Sequence, residues 1–244
     1  MRNLRLDICY EGTRYRGWQR LSNTENTLQF KFEQTLSRIL NEPIEVSASG
    51  RTDAGTHALG QVVSFHCEND MSCAEILSLL RRYLPEDIGI YSCKDVSPRF
   101  HARLNAKTKT YIYRVWNSDK PCVFERKFVY IDARTLDLTA MQEASRYFLG
   151  EHDFAPFCAN KNMKKSTVRF IHQLDIQRKE NEIVFMVTGN GFLHHMVRII
   201  VGTLLEVGRG ERLADSIPAL FSGNRSDTGE LVPACGLCLL EVNY

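Results

Sequence analysis

Apolar and polar residues alternate from the start of the chain, with Leu4, Leu6, Ile8 and Tyr10 at every second position, the period of a strand with one buried face. After a polar loop the period changes. Leu28, Phe32, Leu36, Ile39 and Leu40 are spaced by threes and fours, the stripe of an amphipathic helix that Thr27 is placed to cap. Short strands are expected over 44–48 and 61–65. A second helix carries Ile76, Leu77, Leu80, Tyr83 and Leu84, and Pro85, which cannot continue it, marks its end. A strand over 88–93 completes the order βαββαβ.

The second half repeats this order. "TYIYRVW" and "KFVYID" read as strands ahead of a helix bearing Leu138, Met141, Ser145, Phe148 and Leu149 along one side. "RFIHQLDI" and "EIVFMVT" read as a strand pair separated by the polar turn "QRKENE". Leu193, Met196, Val197, Ile200, Val201, Leu204 and Leu205 then form an unbroken apolar stripe, with Gly208 as the C-terminal stop, and "LCLLEV" is the closing strand. The pattern predicts an α+β fold of two ferredoxin-like halves, each an antiparallel sheet with helices on one face. The halves are expected to be residues 1–104 and 105–244. They are joined through "SPRFHARLNAKTK", which lacks the Gly/Ser richness of a flexible linker. Sheets covered on one face leave the other open to RNA, and a central RNA-binding cleft is expected between the halves.

Composition narrows the function classes. With 244 residues and 43% hydrophobic content the chain is large enough to fold without staples. Its eight cysteines are scattered through apolar segments, which reads as reduced core thiols rather than a disulfide scaffold. Cys235 and Cys238 make one C-x-x-C without a second pair, two ligands short of a zinc site, and no metal is expected. No apolar run reaches the length of a membrane span, and "MRNLRLDICYEG" lacks the apolar centre of a signal peptide, so a cytoplasmic protein without a membrane partner is expected.

A net charge of +2 selects no partner, but local clusters do. Arg14, Arg16 and Arg20 crowd one loop, Lys107 and Lys109 precede Tyr111, and Lys161, Lys164, Lys165 and Arg169 form a second basic stretch. Basic clusters beside Gly-rich and aromatic loops point to a polyanion.

Asp53 is the leading candidate for chemistry. It stands in "GRTDAGTHALGQVVSF" between apolar runs, with Ala54 and Gly55 permitting close approach and Arg51 supplying a cation. The same residues also fit a turn in which Asp53 bonds its own backbone. Arg198 flanks the apolar stripe of the last helix with His194 one turn earlier; it either reaches solvent or pairs with a carboxylate of the Asp53 type. Tyr111 either packs in the core or offers a stacking face beside Lys107 and Lys109.

Six strings, "YEGTRYRGWQR", "GRTDAGTHALGQVVSF", "LPEDI", "FHARLNAKTKTYIY", "GNGFLHHMVRIIVGTLLEVG" and "GLCLLEVNY", follow the order and spacing of the tRNA pseudouridine synthase A family, and the resemblance covers essentially the whole chain. It implies isomerisation of uridine to pseudouridine in the anticodon stem-loop of tRNA, without cofactor or metal, by a homodimer. Asp53 matches the family's essential aspartate, Tyr111 its tyrosine that stacks on the target base, and Arg198 its arginine that pairs with the aspartate. Arg51 resembles the arginine that fills the space left by the flipped nucleotide. The expected RNA contacts are Arg14, Arg16, Arg51, Lys107, Lys109, Lys164, Lys165 and His194. The segments "QRLSNTENTLQ" and "DKPCVFERK" depart from the family's commoner forms, and Cys238 stands where an aromatic residue is often found.

Two other classes fit parts of the sequence. A noncatalytic RNA-binding protein would use the same sheets, and a hydrolase could use Asp53 with His57 as acid and base. Neither accounts for Tyr111 and Arg198 together.

Overall fold

The computed structural model describes residues 1–160 and 165–244. They divide into two compact units, Met1–Lys107 with Leu239–Tyr244, and Thr108–Cys238.

The first unit is built from β1 (Arg2–Tyr10), α1 (Leu28–Leu40), β2 (Ser47–Ala48), β3 (His57–Cys67), α2 (Cys73–Tyr83) and β4 (Ile88–Val96). β1 lies between β3 and β4, antiparallel to both, and β2 pairs with β3. This is the ferredoxin-like strand order. The alternation in β1 is realised as expected, with Leu4, Leu6 and Ile8 fully buried. Thr27 caps α1 by accepting from the Phe30 amide, and Ser72 and Glu75 cap α2 reciprocally. Tyr83, placed by periodicity on the apolar face of α2, is instead 46% exposed, with the Arg38 and Arg82 guanidinium groups each 5.5 Å from its ring centre.

Two strand bounds differ from the pattern, each for a local reason. Only Ser47–Ala48 of the expected 44–48 strand pairs with β3. The Ile44 amide bonds Ser37 Oγ and the Val46 amide bonds Glu33 Oε1, so this stretch satisfies its backbone on α1 while burying Ile44 and Val46. β3 begins at His57, before the expected Gln61, because Ala58 is already in register with Tyr10 of β1. The last residues of the chain press on β3 so closely that a Cβ on Gly60 would stand 2.3 Å from the Leu240 carbonyl oxygen.

The second unit holds β5 (Thr108–Trp116), β6 (Tyr130–Ile131), α3 (Leu138–Ser145), β7 (Gly150–Asp153), β8 (Val168–Lys179), β9 (Glu182–Gly189) and α4 (Met196–Gly208). β10 (Leu237–Asn243) starts in this unit, while its residues from Leu239 onward are counted with the first. β9 lies between β5 and β8, antiparallel to both, and β7 pairs with β8.

Here too the polar pattern misplaces some bounds. "QRKENE" is mostly strand: Arg178 pairs with Ile183 and Lys179 with Glu182, leaving only a tight turn at Glu180, whose φ is 53°. "KFVYID" contributes only Tyr130–Ile131, parallel to the end of β5. α4 runs through Gly208 and the left-handed residue after it is Gly210, at φ 73°. Gly208 is small for a different reason: a Cβ there would meet Met141 Sδ of α3 at 2.7 Å. All eight cysteines are free thiols, but only Cys67 and Cys158 are buried, so the expectation of a mostly core location is corrected. Among the described residues no helix is long and apolar enough to cross a membrane.

Candidate active site

Asp53 sits in the segment between β2 and β3, and its two flanks are fastened independently. Upstream, Ser49 bonds Val62 through its amide (2.8 Å) and Gln61 through its hydroxyl (2.5 Å), while Gln61 Nε2 donates to the Gly50 carbonyl at 2.9 Å. Thr52, buried, shares a 2.8 Å hydrogen bond with the Tyr10 hydroxyl. Downstream, the Thr56 amide donates to the Asp53 carbonyl at 3.1 Å across Gly55, whose φ is 78°. A main-chain turn is therefore present at "DAG". It is the side chain, half-buried between exposed Arg51 and exposed Ala54, that the turn presents.

A second loop, residues 11–18, braces the first. Trp18 N donates to the Thr52 carbonyl (3.0 Å), Gly55 N to the Tyr15 carbonyl (3.3 Å), and Gly12 N to His57 Nδ1 (3.0 Å). The two loops touch backbone to backbone: a Cβ on Gly12 would lie 2.0 Å from the Thr56 carbonyl oxygen, and Gly17, at φ 91°, would place one 2.9 Å from that of Thr52. The brace is itself anchored on Asp87 of "LPEDI". Its carboxylate accepts from the Tyr15 hydroxyl at 2.6 Å and from Arg14 Nε at 2.7 Å, and its carbonyl accepts the Glu11 amide. Burial and the adjacent Asp87 carboxylate push the Tyr15 phenol up to about 12.

In the second unit Tyr111 lies on β5 opposite Val187, 7% exposed, and meets Phe192 edge to face at 5.1 Å. Two residues on, Tyr113 is fully buried and donates to the Pro233 carbonyl at 2.7 Å. Arg198 projects from the first turn of α4, half-buried, with Nε donating to the Val232 carbonyl at 2.7 Å. That carbonyl is brought close to α4 by glycines: a Cβ on Gly202 would stand 2.0 Å from the Glu230 carbonyl, and the Gly229 amide bonds Thr203 Oγ1 at 2.9 Å. The Arg198 charge favours the ionised forms of Tyr113 and Cys235, yet burial is the larger influence and holds both above their ordinary values. α4 is entered through His195 in the left-handed region, φ 64°, whose ring centre lies 3.7 Å from that of exposed His194 with the two planes tilted by 34°.

The expected RNA contacts fall into different settings. Arg16, Arg51, Lys107 and Lys165 are exposed, and Lys109 is half-buried on β5. Arg14 is exposed but ion-paired with Asp87. Lys164 lies outside the described residues, as does Lys161 of the same cluster. Arg169 is half-buried, held below its ordinary pKa by that burial, and donates to the Ser166 and Val168 carbonyls.

Periodicity and charge did not single out Asp87, Tyr15, Thr52 or Gln61. Their signal is conjunction. "YEGTRYRGWQR", "GRTDAGTHALG" and "LPEDI" are distant in sequence, and their polar residues bond one another in the first unit. Glu33 is a further case, a buried carboxylate on α1 that pairs with Arg20 at 3.1 Å and accepts from Gln29.

A family model described as tRNA pseudouridine synthase matches residues 8–105 and 144–244. The tRNA pseudouridine synthase A of Bacillus sp. (strain KSM-64) is 44% identical over 245 residues, covering 100% of each chain. The tRNA pseudouridine synthase A 2 of Bacillus cereus (strain ZK / E33L) is 41% identical, and the tRNA pseudouridine synthase A 1 of Clostridium tetani (strain Massachusetts / E88) 43%, both with the same full coverage. With a family model matching most of its length and full-length likeness of this degree, the chain belongs to the tRNA pseudouridine synthase family, enzymes that isomerise uridine to pseudouridine in tRNA.

Proposed function

We propose that this chain forms pseudouridine in the anticodon arm of tRNA and that Asp53 starts the reaction. The observation that carries this reading is the Asp53 loop: a carboxylate presented on a turn whose backbone is fixed on both sides, next to exposed Arg51 and small residues that admit a nucleotide. A group that must meet one carbon of a flipped nucleoside needs both that rigidity and that access.

The chemistry assigns the roles. The N1–C1′ bond breaks, uracil turns, C5 bonds C1′, and the C5 proton leaves. Asp53 either attacks C1′ or removes a sugar proton to give a glycal, and both need the ionised carboxylate. In this reading Arg198 is the cation that keeps it ionised, its orientation set by the bond to Val232. Tyr111, fixed by its edge contact with Phe192, stacks on the base and assists removal of the C5 proton. Arg51 fills the position the nucleotide vacates. Exposed Arg16, Lys107 and Lys165 bind phosphates, joined by Arg14, Lys109, Lys164 and His194. The enzyme acts as a cytoplasmic homodimer and needs no cofactor.

The test is carbodiimide mapping with primer extension on tRNA from cells with and without the protein. Loss of anticodon-arm pseudouridines in the deletion, restored by the wild-type chain and not by Asp53→Asn, is expected. Loss confined to another arm of the tRNA overturns the anticodon assignment.

A further inference from the structure

We propose that Asp87 is a positioning residue for Asp53, acting through Tyr15 and the 11–18 loop without touching the substrate. The proposal rests on the reading of Asp53 as the group that starts the reaction. Asp87 engages three groups of the loop at once, and each carboxylate oxygen has its own donor: Oδ1 takes the Tyr15 hydroxyl and Oδ2 takes Arg14 Nε. Its side chain is 11% exposed and Tyr15 is 3% exposed, so water reaches the Tyr15–Asp87 bond poorly, while the Arg14 limb of the clamp lies at the surface. The Tyr15 phenol, lifted to about 12 by burial and by Asp87, stays protonated and remains a donor throughout the neutral range.

From Tyr15 the connection to Asp53 is short. The same residue that points its hydroxyl at Asp87 accepts the Gly55 amide on its carbonyl, two residues beyond Asp53. Trp18 closes the other side through Thr52, one residue before it. The Asp53 turn is thus bracketed by a loop that the half-buried Asp87 carboxylate, together with His57, holds in place. The clamp also separates the two loop arginines. Arg14 is drawn onto Asp87, while Arg16, with its amide on the Asn26 carbonyl at 2.9 Å, stays exposed.

The experiment measures kcat and KM by tritium release from C5-labelled tRNA for full-length Asp87→Ala, Asp87→Asn, Tyr15→Phe and the Asp87→Ala/Tyr15→Phe pair, with thermal unfolding of each. Asp87→Ala and Tyr15→Phe are each expected to lower kcat about tenfold or more with KM within about threefold, because misplacing a reacting group acts on the chemical step. The pair is expected to be no worse than the weaker single variant, since the two residues act as a unit. Asp87→Asn, which keeps an acceptor for Tyr15, should recover most of kcat. Tyr15→Phe removes a single oxygen and keeps the test open if Asp87→Ala fails to fold. A kcat for Tyr15→Phe within about twofold of wild type, or losses that multiply in the pair, overturns the clamp. With Asp53→Asn inactive, such a result removes the clamp alone; a fully active Asp53→Asn removes the Asp53 reading and the clamp with it.

Discussion

The backbone amide of Gly12 donates to Nδ1 of His57 at 3.0 Å. A ring nitrogen that accepts from an amide carries no proton, so His57 holds its proton on Nε2 and is neutral in this arrangement. With 4% exposure and this bond in place, His57 fastens the brace to the start of β3, which weakens the hydrolase reading in which it served Asp53 as acid or base. The Asn side chain places an oxygen near where Nδ1 lies, whereas Gln reaches one carbon further. His57→Asn is therefore expected to keep kcat within about threefold of wild type, and His57→Gln to lose about tenfold or more. The check is single-turnover tritium release; the reverse order, with His57→Gln active and His57→Asn impaired, would mean that Nε2, and not the Gly12 bond, is what matters.

Gly12→Ala tests the same junction from the other side. Its Cβ would have to displace the Thr56 backbone, since the contact would be 2.0 Å from a carbonyl oxygen. The variant is expected to fold with a lower unfolding midpoint and to lose at least about tenfold in kcat, as a shift of about 1 Å at a reacting group can cost far more than that. Wild-type kcat in a folded Gly12→Ala protein would show that the loop spacing is immaterial.

Replacing the carboxylate of Asp53 by an amide preserves size and removes both nucleophile and base. Asp53→Asn is expected to bind tRNA in a filter assay as wild type does and to release no tritium. Tyr111→Phe keeps the ring against Phe192 and loses the hydroxyl, so binding should persist while the proton-removal step slows.

Salt dependence should separate the two arginines of the 11–18 loop. Arg16 is exposed, so Arg16→Ala is expected to reduce the slope of log affinity against log salt by about one unit, the signature of one lost phosphate contact. Arg14 is held on Asp87, and Arg14→Ala should change that slope less. Equal slopes for wild type and Arg16→Ala would remove Arg16 from the tRNA interface. The Lys164→Ala/Lys165→Ala pair is expected to reduce the slope by about two units, weakening binding with saturated turnover retained.

Acid stability should depend on Asp132. Burial alone would push its carboxyl up, but hydrogen bonds from Arg134, with the charges of Arg134 and Arg209, outweigh it and hold the group below its ordinary value. A depressed folded-state value means that the contribution is complete above the unfolded pKa, about 4, and is lost as pH falls through the folded one. Asp132→Asn should lower stability at neutral pH by on the order of 1 kcal/mol, since Arg209 keeps Glu211 and Glu230 and Arg134 is half exposed, and should flatten the acid side of the stability profile. Urea unfolding at pH 7 and near pH 2 measures both; the same loss at the two pH values would contradict the linkage.

What the sequence determined by itself is what local repetition encodes. Leu4, Leu6 and Ile8 at a period of two, and the Leu193-to-Leu205 stripe at a period of 3.6, each require one buried face, so strand and helix types and the doubled βαββαβ order were legible. Asp53 was legible as a candidate because a carboxylate among small residues between apolar runs is chemically conspicuous. Tertiary structure decided what depends on partners distant in sequence. Val46 left its expected strand because Glu33 offered its amide an acceptor, and Gly208 proved to be a packing residue because Met141 lies across it. "QRKENE" stayed in the ladder because its cross-strand partners, not its polarity, set the register. Asp87 is the clearest case, an unremarkable residue after Pro85 and Glu86 whose importance arises only where Tyr15 and Arg14 meet it. Periodicity reports which face of an element is apolar; it carries no information about which buried polar groups must find each other, and that pairing is fixed only when the chain closes on itself.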